Sequence, residues 1–406
     1  MMTSTPVPSR LHRAWLPAAF SLLMVGWGAN QFASLLAFYR QAHGFSAVTV
    51  TSILGIYVAG LIPALLLGGP YSDARGRRRV TLSALGLSIV ASAIMTFGIV
   101  AAWPLFLGRL LAGIATGLAM AATTSWVKEL SQKPYDLTAP AGVGARRASL
   151  AAAGGFWLGP VVSGLMANFL PLPEIAPYVL QALICVPLIF IALRLPETRP
   201  DSGAAVSRFS WPSSARDRRF VTVVGPGAPW VFGAGTLGFA VMPSLLTNLG
   251  DWRLLYATAA VALTLGFGVL IQQFARRWDD PHSARGVLVA LYATLAGLAL
   301  MIITLLAQSP WLGLLGCAVL GSGYGLMLVG GLLETQRIAP PHQLGALTGV
   351  YYTYAYLGYL TPTILSFLAL WFSETLLIGI IIALCLWSIT VVSINSRKHL
   401  HDGANP

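Results

Sequence analysis

The chain has 406 residues, of which 56% are hydrophobic and only 9% charged, with a net charge of +12 and a mean hydropathy of +0.74. A soluble globular chain carries about 25% charged residues, so this composition excludes an ordinary soluble domain. The basic excess would suit nucleic-acid binding, but the placement of the charges described below rejects that partner.

A bilayer core about 30 Å thick takes roughly 20 apolar residues per helical crossing. The sequence holds twelve such runs, at 15–39, 46–69, 80–101, 104–127, 149–170, 176–194, 220–246, 253–274, 286–307, 310–333, 343–370 and 373–395. Only helices and closed barrels satisfy the backbone inside lipid. These runs lack the alternating polarity of barrel strands, so an all-α membrane protein is expected. The first run is longer than the 7–15-residue apolar core of a secretory signal, and it is read as a retained first helix.

Between the second and third runs lies a charged knot, Gly69-Pro-Tyr-Ser-Asp73-Ala-Arg75-Gly76-Arg77-Arg78-Arg79, flanked by Ile53–Gly68 and Val80–Ala102, which carry no charge. In the fourth run, Arg109 is followed by Gly113 and Gly117, which share one helix face and permit close helix approach. The fifth run reads Gly155-Phe-Trp157-Leu-Gly159-Pro160-Val-Val-Ser-Gly164, and Pro160 removes a backbone donor there and bends the helix. The polar stretch Leu195–Arg219 is too polar to span and too short for a domain, so it reads as a linker between two halves. The second half echoes the charged knot weakly, Pro281-His-Ser-Ala-Arg-Gly286 answering Pro70-Tyr-Ser-Asp-Ala-Arg-Gly76.

With an inside N-terminus, only Arg40, Arg109 and Arg253 among the 25 Lys and Arg fall outside or within the membrane. Retention of basic loops in the cytoplasm sets orientation, so both termini are expected inside and the basic excess is topological. Cys185, Cys317 and Cys385 lie in apolar runs without pairing or metal-ligand spacing. The six histidines lie in loops or tails, so the clustered groups of a membrane enzyme are lacking. No metal or cofactor is expected.

The three motifs together resemble the major facilitator superfamily. The knot resembles its motif A (Gly69, Asp73, Arg75, Gly76, Arg77, Arg78), with Ala74 where the family has a basic residue. Arg109, Gly113 and Gly117 resemble motif B; Gly155, Gly159, Pro160 and Gly164 resemble motif C, associated with the antiporter branch. Pro196-Glu197-Thr198 is similar to the family's segment after helix 6. The resemblance implies twelve helices in two pseudo-symmetric six-helix bundles, 1–194 and 220–395, joined by the linker 195–219 and followed by a tail, 396–406. Internal repeats with a midplane site between them recur among transporters. It implies a conformational latch at the knot, with Asp73 near the start of helix 3. Arg109 is then either a proton-relay or charge-sensing residue, or a side chain that snorkels outward or pairs structurally.

The family's cavity would draw on Asn30, Gln31, Tyr57, Trp157, Trp230, Tyr324 and a face of helix 11 carrying Tyr352, Tyr356 and Tyr359. No Asp or Glu is expected deep in any span; Glu129, Glu334 and the others fall in or beside turns. Proton carriers commonly use an embedded carboxylate raised in pKa by desolvation, and that switch is missing here. Cation-selective exporters also tend to need buried negative charge, so a neutral, zwitterionic or anionic cargo is favoured. The expected protein is a monomer in the inner or plasma membrane's lipid bilayer, moving a small-molecule substrate rather than catalysing a reaction. Export of an amphipathic organic compound in exchange for protons heads the readings. Uptake by symport or uniport, and a non-transporting sensor, stay open.

Overall fold

The computed structural model describes residues 13–140, 142–198 and 211–400. The linker's middle, 199–210, and the tail's end, 401–406, lie outside the described residues. The described chain is all helix, without a strand. Eleven of its helices are long and apolar enough to cross a membrane. They are α1 (Trp15–Ala42), α2 (Ala47–Arg75), α3 (Arg77–Ile99), α4 (Trp103–Leu130), α5 (Val143–Phe169), α6 (Ala176–Leu193), α7 (Phe220–Leu245), α8 (Gly250–Trp278), α9 (Arg285–Ala307), α10 (Pro310–Ile338) and α12 (Glu374–Asn395). The remaining expected span, α11, is interrupted: Leu344–Leu357 passes through a 3-10 turn at Gly358–Leu360 into Thr361–Leu368.

Several helices run past the apolar runs, as α2 and α10 do. An apolar run stops at the first charge, whereas a helix stops where the backbone can no longer continue. Thus α2 runs past Gly69 to Arg75 and ends at Gly76, whose φ of 97° lies in the left-handed region that favours glycine. For the same reason α10 continues to Ile338 and takes in Glu334, which the sequence places outside the span. Glu334 is 2% exposed and lies four residues before the end of α10, beside the turn that follows.

By contacts the chain forms two compact units. Within the described residues, one draws on 13–32, 59–140, 142–162 and 170–198, the other on 33–58, 163–169 and 211–400. In the first unit Trp126 is fully buried with Leu85, Val127 and Leu130, and its indole N–H donates to the Pro196 carbonyl at 3.1 Å. In the second unit Phe220, Leu291, Leu320 and Met327 are fully buried among α7, α9 and α10. Cys185, Cys317 and Cys385 are buried free thiols.

Helix contacts in both units are close because glycines remove the side chain at the crossing. A Cβ on Gly155 would collide with the Leu23 carbonyl of α1, and one on Gly358 with the Pro229 carbonyl of α7. Packing of this kind drives association between helices in lipid, where no hydrophobic gain separates helix from solvent.

Candidate functional site

The α-helical part of α1 ends at Asn30, and the chain tightens into a 3-10 segment at Gln31–Leu35 before resuming at Leu36. Such a break leaves carbonyls without their usual intrahelical donors. Arg109 on α4 supplies one: its guanidinium donates to the Ala29 carbonyl and lies 5.6 Å from the centre of the Phe32 ring. The side chain is fully buried, so it does not snorkel outward. A basic side chain at a membrane helix centre costs about 2.5–3.5 kcal/mol on insertion scales. The carbonyl end of a helix and an aromatic face both offset that cost.

The two amides beside the break are held by protein. Asn30 donates to the Phe156 carbonyl of α5 at 3.2 Å. Gln31 was expected in a cavity, but its Nε2 donates to Ser92 Oγ at 3.0 Å, and Ser92 donates to Gln181 Oε1 on α6 at 2.7 Å. Gln181 in turn donates to Ser88 and to the Met24 carbonyl. Both glutamines are fully buried, so this chain joins α1, α3 and α6 in the interior. Gln181, the lone amide in an apolar helix, was the available signal: a polar group at membrane depth needs a partner.

On α5, Gly155 and Gly159 lie against Leu23 and Trp27 of α1, and Pro160 is buried at the same crossing level. Gly164 faces Thr258 of α8 instead, and Trp157 is 36% exposed. On α4, Gly113 is buried and Gly117 abuts Leu61 and Leu65 of α2.

In the second unit, aromatic rings from α2, α7, α10 and α11 form one group. Phe232 stacks on Tyr356 at 4.2 Å between centroids and lies 5.9 Å from Tyr324. Tyr352 lies 6.5 Å from Tyr356, and Tyr359 touches Tyr57 at 5.7 Å and Phe239 at 6.4 Å. The helix-11 spacing thus brings Tyr352, Tyr356 and Tyr359 together, but Phe232 at the centre went unnoticed because an apolar ring in an apolar run carries no signal. Trp230 stands apart: its indole donates to Ser388 of α12 at 3.0 Å.

The charged knot is built around Arg77, which is 9% exposed along its side chain. It pairs with Asp73 at 2.6 Å and Glu129 at 3.2 Å, and it donates to Ser72 at 3.0 Å. Asp73 sits in the last turn of α2, more than half exposed, rather than at the start of α3. That start is held by Glu197, which accepts from the backbone N–H of Arg77 and of Arg78. Arg78 returns its guanidinium to the Leu193 and Leu195 carbonyls at the end of α6. Arg75 lies over Tyr71, and a Cβ on Gly69 would meet nothing.

The second unit carries a related arrangement. Arg219 makes a forked pair with Glu334 at 2.7 and 3.0 Å and also donates to the Ser396 and Lys398 carbonyls. Arg337 bridges Glu334 and Asp279. The N–H of Ala284, at the start of α9, donates to Ser396 after α12, as the α3 start does to Glu197 after α6. Two loop carboxyls lie below their ordinary range: Asp136 because Arg147 donates to it despite burial, and Asp280 because the Ser283 hydroxyl and His282 N–H do.

A family model described as Major Facilitator Superfamily matches residues 18–362. Over 132 residues the chain is 29% identical to a probable inositol transporter 3 of Arabidopsis thaliana, covering 32% of this chain and 23% of that protein's length. A POT family transporter solved with 5-aminolevulinic acid superposes at a TM-score of 0.77, with 14% identity over 95% of this chain and 96% of that one. The xylose transporter XylE from E. coli, in an inward-open conformation, gives 0.70 with 13% identity over 96% and 97%. With its twelve-run helical pattern, its motif-bearing turns and a family match over most of its length, the chain belongs to the Major Facilitator Superfamily and is a multi-pass membrane transporter rather than an enzyme.

Proposed function

We propose that this protein exports a small amphipathic organic compound by alternating access, with protons as the exchanged ion. The observation that carries the cargo class is the aromatic group of Phe232, Tyr324, Tyr352 and Tyr356, whose rings offer apolar faces with hydroxyl tips. Arg109, buried at the break in α1, supports an acidic or electron-rich group on that cargo, since a protein charge at membrane depth marks a substrate or ion pathway by default. The Gly-Pro segment of α5 supports exchange over other coupling. The basic loops support cytoplasmic termini, which places Arg40, Arg253 and Glu374 on the outer side.

The second reading is uptake of a neutral polyhydroxy compound by symport or uniport. It is favoured by the 132-residue likeness to a probable inositol transporter. The two readings part in one experiment. Purified protein is reconstituted with a lumenal pH dye and offered amphipathic organic acids and polyols. Proton flux driven by an amphipathic compound, and lost in Arg109→Met, supports coupled export. Polyol movement without proton flux replaces it with uniport.

A further inference from the structure

We propose that a cavity of about 380 Å³ in the second unit, at the outer ends of α1, α8 and α12, is a binding site for a small amphipathic carboxylate. The outer placement rests on the orientation given above; the site itself does not depend on which cargo is moved, or in which direction. Its volume falls in the range of small-molecule sites.

The first argument is charge. Lys and Arg are disfavoured in short outer loops, and only Arg40 and Arg253 lie there. Both line this cavity. Arg40 occupies the last turn of its α1 segment and Arg253 opens the regular part of α8. A helix N-terminus ordinarily favours an acidic side chain, so a guanidinium at that end adds to a positive field instead of cancelling it. Glu374 also lines the cavity, leaving two cations to one anion. Among the described residues no salt bridge joins Glu374 to either arginine, and Arg253 reaches the Thr247 carbonyl only at 3.5 Å. The Arg40 fork, and the part of the Arg253 fork not turned to Thr247, are therefore open to a ligand carboxylate, the geometry Arg matches best.

The second argument is the floor, which is apolar. Val50 and Phe239 are 2% and 3% exposed, and Pro362 and Leu365 lie beside them. The Thr51 and Ser366 hydroxyls of the lining are occupied, Thr51 by the Ala47 carbonyl and Ser366, Ser366 by the Pro362 carbonyl. Polar recognition thus falls to the rim, and the floor takes an alkyl or aromatic body. Phe239 also packs on Tyr359 at 6.4 Å, so the floor abuts the aromatic group without being part of it.

The test is calorimetric titration of octanoate into the full-length protein in phosphatidylcholine nanodiscs, with empty nanodiscs subtracted for partitioning. The expected result is saturable binding near one per chain, weakened on the order of tenfold or more in the Arg40→Gln/Arg253→Gln double variant. Glu374→Gln tightens it by removing a like charge, and octanamide and octylammonium give no saturable heat. Both arginines are at the rim, and a size-exclusion profile matching the parent confirms that the double variant is folded. Equal binding in the double variant, octanamide binding as tightly as octanoate, or no saturable heat would each overturn the proposal. Because the readout is equilibrium binding, its failure leaves the export reading intact, and a failed transport assay leaves this site intact.

Discussion

The Glu197 carboxylate accepts the backbone N–H of Arg77 at 2.7 Å and that of Arg78 at 3.2 Å, so a residue just past α6 serves as the cap of α3. The first amides of a helix have no intrahelical partners, and an anion there also meets the positive end of the macrodipole. Glu197→Ala is expected to cost about 1–2 kcal/mol of stability, and Glu197→Gln less, because an acceptor remains. Thermal unfolding of the purified variants in detergent checks the order; equal loss in both would remove the acceptor argument.

Gly76 is constrained twice. Its φ is 97°, and a Cβ would strike Glu197 Oε2. Gly69, seven residues earlier in the same motif, has open space around it. Gly76→Ala should therefore lower stability by about 1–3 kcal/mol, while Gly69→Ala stays within about 0.5 kcal/mol. A comparison of the two melting curves decides; matching curves would contradict the cap geometry.

Arg109 joins α4 to the Ala29 carbonyl at the break in α1. A charge-assisted hydrogen bond of about 1.5–3 kcal/mol corresponds to roughly ten- to a hundredfold in an equilibrium. On the proposed export reading, Arg109→Met loses transport by that order, and Arg109→Lys retains charge without the fork and falls between. Initial rates in proteoliposomes, normalised to folded protein, provide the check. Parental rates in Arg109→Met would confine Arg109 to packing.

Asp136 is 6% exposed along its side chain and pairs with Arg147 at 2.7 Å. Its pKa is held below the ordinary carboxylate range, chiefly by the Arg147 hydrogen bond. A lowered folded-state pKa contributes stability that is present above the unfolded value and is lost as pH falls through the folded one. The protein should therefore lose this contribution on acidification below about pH 4, and Asp136→Asn should flatten that part of the profile. Melting temperatures from pH 7 down to pH 3 provide the comparison. An unchanged acid limb in Asp136→Asn would refute the linkage.

Much of the fold was legible because lipid imposes a strong and simple rule. Every crossing must be an apolar run of helical length, and the charges collect in the turns. The Gly-Pro segment of α5 and the tyrosine spacing of α11 were legible for the same kind of reason: a period of 3.6 puts Tyr352, Tyr356 and Tyr359 on one face. The partner of Gln31 was not legible, because a polar residue beside a helix break looks the same in sequence whether it faces a cavity or a neighbouring helix. Ser92 and Gln181 decide that, and they lie 61 and 150 residues away along the chain. Phe232 was missed because its role comes from stacking on Tyr356, not from its own type.

The sequence by itself determined the class, the crossings and the motif-bearing turns, since hydropathy and helical periodicity are local properties of the chain. Tertiary structure alone decided which carboxylate caps α3, that Arg109 turns inward to α1, and that Glu334 is buried in a forked pair with Arg219. Those are partner choices between residues far apart in sequence. A hydrogen bond or ion pair is set by distance and desolvation at the meeting point, which only the packed helices supply.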